Sequence, residues 1–200
     1  MSSLSNSYQL PKLQTKQRHL IIFLGIIMAL ALRVFLLWVP SHDIDVIQSA
    51  WYDELIEVGR FDAFKSIFYN YTPAPVYVID LITLFRFIPK EPAMKLIPIL
   101  FDFLGAFGIY RILRLKYQNN DIPWLGFFGF LFLPTIFIES AAWGQTDILF
   151  TTFLIWSFYF FLKEKTWVGM LFFAISFCFK LQSLFLGPVL LILFFRKKIH

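Results

Sequence analysis

Six acidic side chains lie in one loop between hydrophobic segments, and carboxylates in such a position can act as general bases. The loop, residues 40–75, carries Asp43, Asp45, Asp53, Glu54, Glu57 and Asp62. An acidic group costs about 2.5–3.5 kcal/mol at the centre of a membrane helix, so a cluster of them beside apolar segments needs a reason. Activating a substrate hydroxyl at the bilayer surface would supply one, since general-base catalysis contributes about a hundred- to ten thousandfold.

Glycosyl transfer to a hydroxyl is one reaction that would use such a base, and Asp43 and Asp45 are the candidates. If the donor is a sugar on a lipid phosphate, the leaving phosphate also needs a cation or a hydrogen-bond donor nearby. The residues suited to hold the donor are Arg33, Trp51, Tyr71, Trp143, Gln145, Asp147, Lys180 and Gln182. Each of these residues also has a purely structural explanation, because acidic loop residues are commonly only solvated and tryptophans commonly anchor helices at the membrane interface.

The composition excludes a soluble globular domain. Apolar residues make up 58% of the 200 residues and charged ones 16%, against roughly 45–50% and 25% in soluble domains. The net charge of +5 does not indicate nucleic-acid binding, because the basic residues flank apolar runs as in membrane proteins. Cys178 is the single cysteine, so the chain cannot form an internal disulfide.

The hydrophobic segments predict an all-α, polytopic membrane protein with about six or seven transmembrane or re-entrant helices. They are residues 20–39, 76–88, 96–113, 122–142, 148–162 and 167–195. A polar tail, residues 1–19, precedes them. The last segment is too long for one span and carries Lys180, Gln182 and Pro188, so we predict two short helices that turn around residues 180–187.

An amphipathic helix is predicted in the first loop. Ile44, Ile47, Trp51, Leu55 and Val58 recur at helical spacing, and Gly59 is a plausible stop. A helix with one apolar face beside a membrane span can lie along the bilayer surface.

The distribution of charge predicts which segments share a side of the membrane. The basic tail precedes the first span and the acidic loop follows it, which places the N-terminus in the cytoplasm of a multi-pass cell-membrane protein. The basic clusters at 111–116, 163–165 and 196–198 then fall inside, and the turns at 143–147 and 180–182 fall outside with the loop. Segment 76–88 is short and contains Asp80 and Arg86, so it could be tilted, re-entrant or a full crossing.

Several short motifs follow one another in an order that resembles a known family, the polytopic glycosyltransferases of the C superfamily. The resemblance is greatest to bacterial relatives of the second GPI mannosyltransferase. Its motifs are Arg33, His42-Asp43, Trp51, Gly59, Ala63-Phe64-Lys65, Asn70-Tyr71-Thr72-Pro73, Lys95-Leu96, Phe101-Asp102, Trp143-Gly144-Gln145-Thr146-Asp147, Lys180-Leu181-Gln182 and Pro188. The chain departs from the family at His42, commonly Gly, and at Ala74, commonly Pro.

This resemblance implies transfer of a sugar, typically mannose, from a polyprenyl-phosphate donor on the outer face of the membrane. The acceptor would be a glycan, a lipid or a protein, and the loop aspartate Asp43 would be catalytic, with Asp45 its rival. No metal and no other cofactor is predicted, although branches of the superfamily differ in their need for a divalent ion. Members are longer, so residues 20–198 would be a catalytic half, either truncated or minimal.

Two functions of other classes remain open from the sequence. In a transporter or flippase-like subunit, Asp102, Asp147 and Lys180 would line a polar path. In a non-catalytic membrane fragment, the chain would only pack with partners. Neither function requires a loop carboxylate, so substitution of Asp43 separates both from the glycosyltransferase.

Overall fold

The computed structural model describes residues 15–66, 68–118 and 121–196, and the regular structure within these ranges is helical. The helices are α1 (Thr15–Leu36), α2 (Ser49–Glu57), α3 (Pro73–Ile82), α4 (Lys90–Lys116), α5 (Ile122–Leu131), α6 (Pro134–Phe137), α7 (Asp147–Leu162), α8 (Thr166–Phe179) and α9 (Gly187–Phe195). The predicted all-α class is confirmed. Most of the polar tail lies outside the described residues, and α1 begins at Thr15, within the range assigned to that tail.

The chain is a multi-pass membrane protein with two or three helices long enough to span. α1 and α4 are each long and apolar enough to cross a bilayer. α5 and the segment Pro134–Trp143 meet at a bend of 47° and pass the same test as one broken span. The other apolar helices are shorter. Many large side chains of α1 are exposed in the isolated chain, including Phe23 and Phe35, as contact with lipid requires.

The two long helices run in opposite directions. Lys95, near the start of α4, donates hydrogen bonds to the carbonyls of Leu37 and Val39, just beyond the end of α1. At the other end, Arg18 in the first turns of α1 forms an ion pair of 2.8 Å with Asp121, which follows α4. We call the end that holds residues 37–72 the loop side and the end that holds Arg18 the tail side.

The later helices alternate between these two sides. Trp143 is on the loop side, because its carbonyl accepts a hydrogen bond of 2.6 Å from Ser41 Oγ. The end of α7 is on the tail side, where Arg111 Nη2 donates to the Tyr159 hydroxyl at 2.7 Å. α8 then returns to the loop side and ends at Phe179. The predicted grouping of the 143–147 and 180–182 turns with the acidic loop is therefore confirmed, and residues 197–198 lie outside the described residues.

Segment 76–88 does not cross the molecule. Thr72, just before α3, donates a hydrogen bond of 2.9 Å to the Phe179 carbonyl on the loop side. Lys90, just after the segment, forms an ion pair of 2.8 Å with Asp53 of α2. Since both ends lie on the loop side, the alternative of a full crossing is wrong, and α3 instead packs against α2 under the acidic loop.

The predicted loop helix is present, but its buried face differs from the predicted one. A π-helical turn, Ile44–Gln48, leads into α2, and the chain leaves the helix before Gly59, whose φ is +103°. Ile44 and Leu55 are buried as predicted, whereas Ile47 and Val58 are exposed. The π turn contains an extra residue per turn and so shifts the register of the apolar face.

The long last segment is broken where the sequence predicted. Lys180 has extended backbone angles of φ −155° and ψ 134°, which end α8. A 3₁₀ segment, Leu181–Leu186, then leads into α9. The break leaves a charged residue at the loop side between two strongly apolar helices.

Candidate ligand site on the loop side

The start of the acidic loop is held against the turn at residues 143–147. Ser41 Oγ binds the Trp143 carbonyl, and Gln48 Nε2 donates to the Gly144 carbonyl at 3.1 Å. Gln145 Nε2 donates a short hydrogen bond to Oδ2 of Asp43. The candidate base is thus attached to a residue 102 positions later in the chain, and the two motifs belong to one site.

A left-handed glycine makes this junction possible. Gly144 has φ +72°, a conformation that costs a residue with a Cβ atom about 1–2 kcal/mol. A Cβ at Gly144 would also lie 2.4 Å from Cδ1 of Ile44, the buried residue beside Asp43. The glycine therefore allows the turn and the loop to approach closely.

Replacing Gly144 with alanine is expected to lower the free energy of unfolding by about 1–3 kcal/mol, from the strained φ and the overlap with Ile44. An SDS titration in detergent micelles, followed by tryptophan fluorescence, measures the loss. Gly129→Ala is the matched control, since Gly129 lies in α5 and a Cβ there would meet nothing within 4 Å. Equal stability of the two variants would contradict the close approach.

The second half of the site is an ion pair between Lys180 and Asp147. Lys180 Nζ donates a short hydrogen bond to Oδ1 of Asp147, and the Tyr71 side chain lies close enough to interact with the same ammonium group. The Lys180 side chain is 20% exposed and that of Asp147 37% exposed, so the pair is partly open to solvent. Glu139 also lies within electrostatic range of both charges.

These contacts bring five of the predicted residues together. We call Asp43, Gln145, Asp147, Lys180 and Tyr71 the loop-side polar site. Gln145 and Asp147 stand two positions apart in one turn and connect the aspartate half to the lysine half. The site offers one cation, a phenol and an amide to phosphate oxygens, and a partly exposed carboxylate to a hydroxyl. Within the part of the chain that the structure describes, no group of three His, Cys, Asp or Glu side chains is placed to hold a metal ion.

The two predicted tryptophans differ in what they can contact. Trp143 is 50% exposed beside the polar site and can offer its ring to a sugar or a lipid chain. Trp51 is only 9% exposed and packs near Tyr71, with 6.5 Å between ring centroids. Its burial argues against direct contact with a donor and favours a role in holding Tyr71.

Arg33 lies near the end of α1, but its side chain points into the helix bundle and not toward the membrane interface. Its Nε donates to Asp102 Oδ2 at 2.7 Å, and its two terminal nitrogens donate to the carbonyls of Ala29 and Leu131 at 3.0 Å each. Arg33 and Asp102 both have 0% exposed side chains. The physical reason is the buried carboxylate on α4, which outcompetes the interface for the guanidinium. This burial also argues against the predicted contact between Arg33 and a donor phosphate.

Asp45 and Gln182 lie outside the polar site. Both side chains are exposed, and no hydrogen bond within the described residues joins either one to the site. Asp45 follows Asp43 by two positions on the π turn, which directs the two side chains differently. The structure thus favours Asp43 over Asp45 as the loop carboxylate that faces Gln145.

Lys95 and Glu91 support the site, although the chemistry of the loop did not single them out. Lys95 is fully buried and binds carbonyls at the end of α1, including that of Val39, where a cation also complements the helix dipole. Glu91 Oε1 accepts from the backbone N–H of Ser41 at 2.7 Å and from Lys95 at 3.2 Å. The sequence signal is a Glu–Lys pair four residues apart at the start of a helix.

The fold and this site define a class: a multi-pass helical membrane protein with a polar site under a loop at one membrane edge. A family model described as GPI transamidase subunit PIG-U matches residues 52–200, and the chain belongs to this family. No curated protein and no solved structure matches the chain. The family match includes Tyr71, Gln145, Asp147 and Lys180 and begins after Asp43. The match supports the coarser expectation, a GPI-related membrane family, but it is to a family of transamidase subunits and not to the glycosyltransferases that the motifs suggested.

Proposed function

We propose that the chain is a non-catalytic membrane subunit that binds the phosphate-bearing part of a lipid-linked glycan at the loop-side polar site. The observation that carries this proposal is the half-buried Lys180, which stands at a helix break on the loop side with Asp147 and Tyr71. The family description, a GPI transamidase subunit, supports the role of a subunit in a membrane complex.

The geometry around Lys180 suits a phosphate that arrives from the bilayer. A cation flanked by apolar helices is unfavourable unless it is paired, so Asp147 balances it in the free protein. A phosphate can replace that carboxylate, because Lys180 has three N–H donors and the Tyr71 hydroxyl adds another. The exposed ring of Trp143 then lies where a sugar on the phosphate could stack.

Replacing Lys180 with methionine is expected to lower capture of a polyprenyl phosphate by about tenfold or more, since one charge-assisted hydrogen bond contributes about 1.5–3 kcal/mol. The measurement is photo-labelling of the purified full chain by a polyprenyl phosphate that carries a diazirine. Lys65→Met is the control, because Lys65 is an exposed loop-side lysine whose ion pair is with Asp62, outside the polar site. Equal labelling by the matching polyprenol without phosphate, or undiminished labelling of Lys180→Met, would refute the proposal.

A second candidate, mannosyl transfer from a polyprenyl-phosphate donor, is favoured by the state of Asp43. Among the described residues, its side chain has one hydrogen-bond partner, the neutral amide of Gln145, and no cation neutralises it. A carboxylate held in place but not paired with a cation can still accept a proton from a hydroxyl. Asp147, in contrast, is already paired with Lys180.

No observation favours the transporter alternative. The polar path of a transporter would have to include Asp102. The carboxylate of Asp102 already accepts hydrogen bonds from Arg33 and, at 2.6 Å, from Ser140 Oγ. The pair joins helices within the membrane and leaves Asp102 without contact with solvent.

A further inference from the structure

Three cations surround one cavity on the tail side, at the opposite end of the helices from the loop-side polar site. Arg111 and Arg114 lie in the last turns of α4, and Lys163 follows α7. The cavity between these elements has a volume of about 410 Å³ and is lined by Arg111, Arg114, Leu115, Gln118, Tyr159 and Lys163. This volume is many times the approximately 30 Å³ that one water molecule occupies in the liquid.

Both arginines are positioned by phenol groups, which fix their side chains without neutralising them. Arg111 donates to the Tyr159 hydroxyl at 2.7 Å and lies over the same ring, 5.3 Å from its centroid. Arg114 donates to the Tyr110 hydroxyl at 2.8 Å and lies over that ring at 5.7 Å. Each guanidinium has further N–H donors in its planar fork, the geometry that matches phosphate oxygens.

Within the described ranges, no carboxylate forms an ion pair with these three cations. Among the described residues, Arg111, Arg114 and Lys163 form no ion pair, and the remaining stretches, 1–14, 67, 119–120 and 197–200, contain neither Asp nor Glu. Two acids are on the same side: Asp121 is paired with Arg18, and Glu164, which follows Lys163, is exposed and forms no ion pair with any of the three cations. Two positioned guanidinium groups and an exposed lysine line one cavity without an acidic partner, which indicates that a ligand brings the negative charge.

An adjoining cavity adds apolar walls to this basic site. It has a volume of about 260 Å³, lies between α1, α4 and α5, and is lined by Arg18, His19, Ile22, Tyr110, Arg114, Gln118, Pro123 and Trp124. Arg114 and Gln118 line both cavities. Ile22, Pro123 and Trp124 offer apolar contact beside the charged part, so the combined site suits an anion that carries a hydrophobic chain.

We propose that these two cavities form a binding site for the headgroup phosphate of an anionic phospholipid. The site lies at the ends of membrane-spanning helices, at the depth where headgroups lie, and basic pockets between such helices are known to bind acidic headgroups. Arg111 and Arg114 bind the phosphate, and the lipid glycerol and upper chains lie against Ile22 and Trp124. The site is separate from the loop-side polar site and does not depend on the function proposed there.

The test is retention of single lipids by the purified full chain, measured by native mass spectrometry after titration with phosphatidylglycerol or phosphatidylcholine. We expect the parent to prefer phosphatidylglycerol, and Arg114→Gln to weaken its binding by about fivefold, the effect of one basic residue near a membrane surface. Lys165→Gln is the matched control, because Lys165 is on the same side but lines neither cavity. Binding by this control is expected to equal that of the parent.

A conservative variant keeps the test valid if Arg114→Gln fails to fold. Tyr159→Phe leaves the charge intact but removes the hydroxyl that positions Arg111, and we expect it to weaken phosphatidylglycerol binding relative to the parent. The proposal is overturned if phosphatidylcholine binds equally well, or if Lys165→Gln loses as much binding as Arg114→Gln, which would indicate general surface charge. It is also overturned if inorganic phosphate displaces the lipid at equal concentration, which would indicate a site for free phosphate.

Discussion

Replacing Arg33 with methionine is expected to lower the free energy of unfolding by about 3–5 kcal/mol, because it leaves the Asp102 carboxylate buried without its partner. Both side chains are fully buried, and the guanidinium uses three nitrogens to bind Asp102, Ala29 and Leu131. Inside a membrane no water molecule can replace these hydrogen bonds, so their loss destabilises the folded state.

The double variant Arg33→Met with Asp102→Leu distinguishes two quantities. One is the destabilisation caused by an unpaired buried carboxylate, and the other is the net stabilisation that the ion pair provides. Because this variant removes both charges, it is expected to recover most of the stability lost by Arg33→Met. SDS titration of the parent, Arg33→Met and the double variant in micelles gives the comparison, and Arg86→Met, an exposed loop-side change, is the control. A loss of less than about 1 kcal/mol in Arg33→Met, the range typical of exposed pairs, would show that the pair is solvated.

The buried pair also has a consequence for the loop-side polar site. Arg33 on α1 binds Asp102 on α4 and the end of α5, and Asp102 accepts from Ser140. Ser140 precedes the 143–147 turn by three residues, so the pair fixes the helix that delivers Gln145 to Asp43. We therefore interpret Arg33 and Asp102 as positioning residues rather than as donor ligands.

The helices could be predicted because a bilayer leaves few alternatives. A backbone in lipid must satisfy its own hydrogen bonds, so long apolar runs become helices whatever their side chains. The break at Lys180 could be predicted for a related reason, since a lysine and a glutamine interrupt an otherwise apolar stretch. Even so, within the described residues two helices, or three if the bent pair is one span, are long and apolar enough to cross.

Side-chain direction could not be predicted, because it depends on partners that are distant in the sequence. Arg33 lies at a helix end, where hydropathy favours snorkelling, but its partner lies 69 residues later and within the bundle. The π turn at Ile44–Gln48 likewise shifts the buried face of the loop helix, and no periodicity of the sequence shows the added residue. Whether α3 crosses the membrane also depends on tertiary contacts at both of its ends, which the sequence does not show.

The members of the polar site were named from motifs, and their pairing is seen only in the structure. Spacing in the sequence does not indicate that Asp43 contacts Gln145, or that Asp147 pairs with Lys180. The distribution of charge predicted that the loop and the two turns share a side of the membrane, and their contacts in the structure agree with that grouping. Lys95 belongs to one of the motifs and stands four residues after Glu91, but this spacing does not indicate that the lysine is buried and binds the backbone carbonyls of Leu37 and Val39.

For the glycosyltransferase candidate, replacing Asp43 with asparagine is expected to lower the initial rate of transfer by about a hundred- to ten thousandfold, because an amide cannot take the proton of the acceptor hydroxyl. The measurement is transfer of labelled mannose from polyprenyl-phosphate mannose in membranes that contain the full chain. Asp45→Asn is the matched control, since Asp45 lies two positions away and outside the polar site. Its rate is expected to equal that of the parent.

The same pair of variants distinguishes the two proposed functions when transfer and capture are measured together. Capture of the photoreactive polyprenyl phosphate depends on Lys180, so Asp43→Asn should still be labelled even where transfer is lost. A parent that captures the lipid phosphate but transfers no mannose supports the binding subunit and removes the catalytic role of Asp43. Transfer that persists in Asp43→Asn removes that role as well, because a reaction that proceeds at the parental rate does not use the Asp43 carboxylate as its base.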